Sequence, residues 1–216
     1  MAEVRGEPAL GLRERKKRRT RATLIDAAIG LCDRQGFDGT TVDQIAAIAD
    51  VSPRTFSRYF STKDAIAVAL IDEILATVAA ELARQPLDIG QFEALRRAYI
   101  AMAHGTRLAP AGALSSDRLL QIMRIIVTSP ALRHAAAEYR ASAVDAVVAQ
   151  RLGTTVGDRR VKLIAAVWTA VLMTALTELT DDLTTAGSVE IDDMVAVLDV
   201  TYAEFTGEIA ALGQVV

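Results

Sequence analysis

Residues 41–63, TVDQIAAIADVSPRTFSRYFSTK, decide the fold, because they hold three consecutive helix starts with a tight turn between the first two. Thr41 and Gln44 have the spacing of a capping box, in which the hydroxyl accepts from an early backbone N–H and the Gln side chain reaches back. A short helix follows with Val42, Ile45, Ala46 and Ala49 to one side, and it stops at Asp50-Val51. Ser52 suits a second N-cap and Pro53 the first helical position, where the missing N–H costs nothing, while Val51 can staple onto Phe56. Phe56 and Phe60, four apart, share a buried face, which turns Pro53, Arg54, Ser57 and Arg58 outward. Ser61 with Asp64 reads as a third capping box and puts Lys63 beside free N–H groups able to take a phosphate.

Two short helices joined by a tight turn, the second exposing small and basic side chains near its N-terminus, is how a helix-turn-helix meets a major groove. A surface helical hairpin with incidental arginines has the same spacing, so spacing alone leaves both readings open. The order of motifs is more specific. R-x-x-L-x-x-A-A (Arg21, Leu24, Ala27, Ala28), G-F (Gly36, Phe37), T-T-V-D-Q-I-A (Thr40 to Ala46), V-S-P-R-T-F-S-R-Y-F (Val51 to Phe60) and S-T-K-D (Ser61 to Asp64) together resemble the TetR family of one-component regulators. That resemblance implies an N-terminal three-helix DNA-binding domain, a C-terminal ligand-binding and dimerisation domain, and repression relieved by a small molecule. It also implies that Tyr59 and Lys63, which match family positions, clamp phosphate. The chain departs from the family pattern at Arg54, where many members carry Gly, and at Ser57, where Tyr is frequent; both departures bear on base preference.

Charge is distributed to match. The overall charge is −3, yet residues 1–63 hold 12 Lys or Arg against 8 Asp or Glu, while residues 64–216 hold 12 against 19. A basic module joined to an acidic one is expected if only the first meets phosphate. The run Arg13 to Arg21 has seven basic residues and one acid, Glu14. Beside the helix-turn-helix, Arg13, Lys16, Lys17 and Arg19 are expected to touch phosphate, each contact releasing counterions. Arg54, in the first turn of the recognition helix, is placed to offer guanine two parallel hydrogen bonds. Thr40, Thr41, Pro53, Thr55, Ser57 and Arg58 complete the candidate DNA-binding set.

The chain is 51% apolar with 5% aromatic residues and abundant alanine, which favours closely packed helices over sheets. The expected architecture is therefore all-α. Residues 1–11 are expected to be a flexible arm, 12–63 the helix-turn-helix domain and 64–216 the ligand-binding and dimerisation domain. Helices are expected at 12–35, 64–85, 90–104, 115–128, 130–152, 158–180 and 188–211, with Gly36 stopping the first and Pro86 lying just past the second. The single Cys32 excludes an intramolecular disulfide and reads as a small core residue. The start is polar and lacks a signal-peptide pattern, so a cytoplasmic setting is expected. Leu163 to Leu179 is the most apolar segment, but Thr169, Thr174, Thr177 and Glu178 interrupt it, which argues for a buried helix and against a membrane span. With the stripe Ile191, Met194, Val195, Leu198, Tyr202 and Phe205 on the last helix, it is the expected surface of a homodimer; completion of a monomeric core is the rival.

The middle helices scatter Tyr99, Met102, His104, Met123, Arg124, Tyr139, Trp168, Leu172 and Met173, the side-chain types that line apolar pockets between helices. His104 and Arg124 would be the handles for an anionic ligand. The N-terminal pattern is also similar to actinobacterial members of the family, some of which answer to acyl-CoA thioesters. No phosphate-binding Gly loop, G-x-S-x-G or H-E-x-x-H is present, and Asp181-Asp182 and Asp192-Asp193 read as caps or solvated charge near loops. The expectation is a DNA-binding regulator with no catalytic role, no cofactor and no metal, whose partners are double-stranded operator DNA, a small-molecule effector and a second copy of itself, with no membrane. A helical interaction module or small-molecule-binding protein without DNA binding is the alternative.

Overall fold

A computed structural model of the chain describes residues 11–110, 113–138, 143–186 and 189–212. The expected arm lies, apart from Gly11, outside the described residues, as do Gly112, Tyr139 and Gly187. The regular secondary structure among the described residues is all helical, with no strand among them, and the chain divides into two compact units, Met1–Ile66 and Ala67–Val216.

The first unit is built from α1 (Leu12–Gln35), α2 (Val42–Ile48), α3 (Pro53–Phe56) and the opening of α4 (Lys63–Ala83). One end of α1 is solvated and the other buries Leu24, Ile25, Ala28, Leu31 and Cys32. Gly36 ends it at φ 77, a conformation that costs a side chain with a Cβ, and its N–H caps the Cys32 carbonyl. A Cβ on Gly39 would lie 2.7 Å from the Gln35 carbonyl oxygen, so the loop closes this tightly only with glycine there. Phe56, 1% exposed, and Phe60 meet at 5.8 Å between ring centroids, joining Ile45 and Leu24 in a core where each buried side chain contributes about 1.5–3 kcal/mol.

The second unit contains the rest of α4, then α5 (Gln91–Gly105), a 3-10 turn at Thr106–Leu108, α6 (Ser116–Thr128), α7 (Pro130–Glu138), α8 (Ala143–Arg151), α9 (Arg159–Ala186) and α10 (Ile191–Leu212). The helix expected over 130–152 is described as two stretches, α7 and α8. The 3-10 turn has no counterpart among the expectations; Thr106 ties it down by donating to the Ala103 carbonyl and pairing with Ser116. Asp181 and Asp182, expected near a loop, belong to α9, which continues through Ala186. Asp193 does act as a cap, accepting from the Glu190 N–H at 2.8 Å.

Ion pairs knit this unit across its helices. Arg96 on α5 reaches Glu93 at 2.9 Å and Asp199 on α10 at 2.7 Å, and it lies over the Tyr202 ring. Arg118 on α6 engages both carboxylate oxygens of Glu73 on α4, at 3.1 and 3.3 Å. At the end of α8, Arg151 donates to the Gln85 and Pro86 carbonyls just beyond α4. These guanidiniums hold backbone and carboxylate oxygens in a fork geometry that a lysine cannot reproduce.

Candidate nucleic-acid interface and ligand cavity

The turn between α2 and α3 is fixed locally. Thr41 accepts from the Gln44 N–H while the Gln44 side chain accepts from the Thr41 N–H, completing the box. Asp50 then adopts φ 53, a left-handed conformation that a short polar residue tolerates, and Val51 N–H closes back on the Ala46 carbonyl. Ser52 caps α3 through the Thr55 N–H at 3.1 Å, with Pro53 at the first helical position. Only Pro53–Phe56 is regular α-helix; Arg58, Tyr59 and Phe60 continue through tight-turn hydrogen bonds to Thr55 and Phe56.

Because Phe56 and Phe60 are buried, Pro53, Arg54, Ser57 and Arg58 are all exposed on one side of this segment. Thr55 and Tyr59 are half-buried, and the Thr55 hydroxyl pairs with Ser52 within the cap. Thr41, Arg13, Lys16, Lys17 and Arg19 are exposed. Two candidates are placed differently from expectation. Thr40 is 2% exposed and its hydroxyl donates to the Gly36 carbonyl at 2.9 Å, so it braces the α1–α2 loop and presents nothing to a phosphate. Lys63 is half-buried: its ammonium donates to the Phe37 carbonyl and packs over the Phe37 ring, turned back into its own unit. The cap of α4 is Thr62, which accepts from the Ala65 N–H, in place of the expected Ser61. Burial pushes the Cys32 thiol up, against smaller opposing effects of Thr40 and Lys63, so Cys32 is a neutral core residue.

The second unit encloses a cavity of about 160 Å³. It brings together Tyr99 and Met102 from α5, Met123 from α6, and Trp168, Leu172 and Met173 from α9. Sequence reasoning missed much of the wall, including Ile71, Ile74 and Leu75 of α4, Val144, Asp145 and Val148 of α8, and Met194 and Leu198 of α10. Their i, i+3, i+4 spacing was visible, but which apolar face borders a void depends on packing between distant helices. The two expected polar handles stand elsewhere. His104 is outside the wall, 3.7 Å from Asp192 at the start of α10, and Arg124 is exposed on the outer side of α6. Both lie on amphipathic helices whose apolar stripes claim the inside.

Tyr99 and Trp168 form the polar edge of the cavity, with ring centroids 5.6 Å apart. The Tyr99 phenol is deep enough that burial pushes its pKa up, so it stays protonated, and the ring surface it retains faces the cavity. The buried Trp168 N–H lies close enough to Tyr99 to offset part of that burial but makes no well-formed hydrogen bond. Asp145 is the one charged side chain among the described lining residues.

On α9 and α10 the outer faces are apolar and open. Only 22% of the apolar stretch of α9 is buried within the chain, although it is long and apolar enough to cross a bilayer. Leu163 is 62% exposed and Val200 and Ile209 54% each, with Ala166, Ala170 and Ala203 exposed between them. A Cβ on Gly207 would meet nothing within 4 Å, so packing inside one chain does not account for that glycine.

Comparison with known proteins draws these features together. Residues 24–70 match the family profile "Bacterial regulatory proteins, tetR family", and residues 90–202 the profile "MftR C-terminal domain". The chain is 34% identical over 168 residues to the HTH-type transcriptional regulator TcmR of Streptomyces glaucescens, covering 74% of this chain and 73% of that one. Among solved structures it resembles SmeT, the repressor of the Stenotrophomonas maltophilia multidrug efflux pump SmeDEF, with TM-score 0.52, 20% identity, and 85% and 89% of the two chains covered. It also resembles a TetR-family regulator from Streptomyces coelicolor, with TM-score 0.52, 20% identity, and 92% and 98% covered. At these identities the two structures show a shared fold.

Proposed function

The chain belongs to the TetR family of bacterial transcriptional regulators, and on that premise we propose that it is a homodimeric repressor released from operator DNA by a small, largely apolar effector. In this reading residues 12–63 bind double-stranded DNA, residues 64–216 bind the effector and the second subunit, and the protein works in the cytoplasm beside its operator. The observation that carries it is the exposed set Pro53, Arg54, Ser57 and Arg58, aimed outward by buried Phe56 and Phe60 at the end of a doubly capped turn.

Arg54 reads bases, Ser57 and Arg58 flank it, and Tyr59 with the exposed cations of α1 (Arg13, Lys16, Lys17, Arg19) meets phosphates. Pro53 brings the backbone close, and Thr41 and Thr55 border the contact. Thr40 and Lys63 support this surface from behind. The uncovered faces of α9 and α10 supply the two-fold contact, which gives two recognition helices where one alone would be too weak. A bilayer is not needed to cover the apolar stretch of α9, because the facing small residues permit close helix packing.

The effector enters the cavity behind α4. At about 160 Å³ it matches the size of an engineered cavity of about 150 Å³ that holds benzene, so a larger effector must push its walls apart. Ile71, Ile74 and Leu75 are part of that wall, and α4 is the helix that follows the DNA-binding segment. For an acyl-CoA thioester, one of the ligands to which the resemblance pointed, the apolar wall would take the acyl chain alone.

Fluorescence anisotropy on DNA fragments flanking the protein's own gene tests the proposal. One fragment should bind at least about a thousandfold tighter than random DNA of equal length, with affinity falling steeply as salt rises. Equal affinity for every fragment would remove the regulatory reading.

A further inference from the structure

We propose that the buried Trp168 N–H receives a carbonyl oxygen of the effector, so that the cavity selects mostly apolar molecules carrying a ketone, ester or lactone group over hydrocarbons of the same shape. This rests on the reading that the cavity is the effector site. Trp168 is 3% exposed and lines the cavity, yet its Nε1 has no hydrogen-bond partner among the described residues. A buried indole N–H usually finds an acceptor, and an orphaned donor carries a desolvation cost that a bound acceptor removes. Three polar side chains share the described wall with it, Tyr99, Asp145 and Thr169, and none of them accepts its hydrogen.

The donor is held in place. The indole packs against rings on two other helices, with centroids 5.6 Å from Tyr99 of α5 and 6.2 Å from Tyr202 of α10, so a change of rotamer would break both contacts. A phenylalanine would fill this aromatic cluster without stranding an N–H, so packing alone does not account for an indole. At a cavity size of about 160 Å³ Nε1 is covered by its neighbours, and a ligand that pushes the wall apart brings its own acceptor there. One N–H fits a carbonyl oxygen better than a carboxylate, which has about four lone-pair sites to satisfy. The rest of the wall, chiefly aliphatic and thioether side chains, takes the apolar body of the ligand.

Trp168 is the chain's only tryptophan, so the full-length protein gives a single indole N–H cross-peak in a proton–nitrogen NMR spectrum, and calorimetry supplies affinities. Three probes of one shape are titrated: cyclohexyl methyl ketone, isopropenylcyclohexane, in which C=CH2 replaces C=O, and cyclohexanecarboxylate. The ketone should bind at least as tightly as the hydrocarbon, although water solvates it better, and should move the cross-peak downfield where the hydrocarbon does not. In Trp168→Phe the affinity ratio of ketone to hydrocarbon should fall at least about fivefold; the ratio cancels the change in ring volume. If the variant does not fold, the wild-type cross-peak still decides. A ketone that binds more weakly than the hydrocarbon, a cross-peak that moves alike with both, an unchanged ratio or a carboxylate that binds tightest overturns the proposal and leaves the cavity as a ligand site. Binding of none of the three overturns both.

Discussion

Lys63 Nζ donates to the Phe37 carbonyl at 2.7 Å and lies 4.2 Å from the centroid of the Phe37 ring. The first residue of α4 is thereby strapped to the loop after α1, where Thr40 and Gly36 make the neighbouring hydrogen bond. A half-buried ammonium held by a carbonyl and a ring face is a strut first. Lys63→Met should therefore lower the melting temperature by about 2–4 °C per kcal/mol lost and weaken binding to all DNA sequences alike. The slope of log affinity against log salt should change by less than about half a unit, since a lost phosphate contact would lower it by about one. A drop of a full unit would restore Lys63 to the phosphate contacts.

Arg54 is exposed in the first turn of α3, and no carboxylate of this chain pairs with it among the described contacts. A bidentate pair with guanine discriminates by about 1–3 kcal/mol. Arg54→Ala is expected to cost that much on the operator and much less on random DNA. Competition binding with both DNAs at one salt concentration measures the difference, and equal losses would reduce Arg54 to a backbone contact.

The exposed apolar side chains of α9 and α10 predict what breaks the dimer. Leu163→Glu and Val200→Glu each place a carboxylate on a face that is open in one chain and that the proposed dimer covers. Inside an interface an unpaired charge costs several kcal/mol, whereas on a solvated monomer it costs little. Sedimentation at micromolar concentration should show wild-type dimers and folded variant monomers. A wild-type protein that sediments as a monomer would defeat the two-fold arrangement.

Glu93 gives a pH signature. The hydrogen bond from Arg96, with help from Arg97 and against the opposing effect of burial, pushes its carboxyl down to about 2. A carboxyl depressed in the folded state stabilises above its unfolded pKa, and that contribution drains away as pH falls from about 4.5 toward 2. Glu93→Gln should lose on the order of 1 kcal/mol at pH 7, allowing for solvent screening of these partly exposed groups. The gap from wild type should stay constant between pH 6 and 8 and close below pH 4 in urea melts. A gap that persists unchanged at pH 3 would show that packing, and not charge, is what the substitution removes.

How far the chain could be read in advance follows the range of the interactions. Thr41 with Gln44, Ser52 with Pro53, and Gly36 at the end of α1 act within four residues, so their roles were legible from spacing. Burial of Phe56 and Phe60 was equally local, and with it the outward face of Arg54 and Arg58. Thr40 and Lys63 were misplaced because their polar groups turn inward to carbonyls, Phe37 being 26 residues from Lys63. His104 and Arg124 had the right chemistry for a ligand but lie off the apolar stripes, while Asp145, the one charged residue among the described lining, was not singled out. Nothing in a single sequence tells which side of α8 faces a void.

The effector's route to DNA makes the final prediction. Ile71, Ile74 and Leu75 give α4 one face on the cavity, and Glu73 on the same helix is paired with Arg118 of α6, whose Leu119 and Met123 also line it. A ligand too large for about 160 Å³ is expected to push α4 and α6 apart, a movement that the Glu73–Arg118 pair between them should restrain. Coupling is reciprocal, so an effector that lowers operator affinity tenfold must itself bind about tenfold more weakly to the operator complex, a coupling of about 1.4 kcal/mol. Titrating cyclohexyl methyl ketone and larger cyclohexyl alkyl ketones against free and operator-bound protein, with Trp168 as reporter, should give that ratio, rising with ligand size. Arg118→Gln should change the ratio while leaving affinity for the free protein within about twofold, since Arg118 is not in the wall. Equal affinities in the free and operator-bound states, at every ligand size, would disconnect the cavity from the DNA-binding unit.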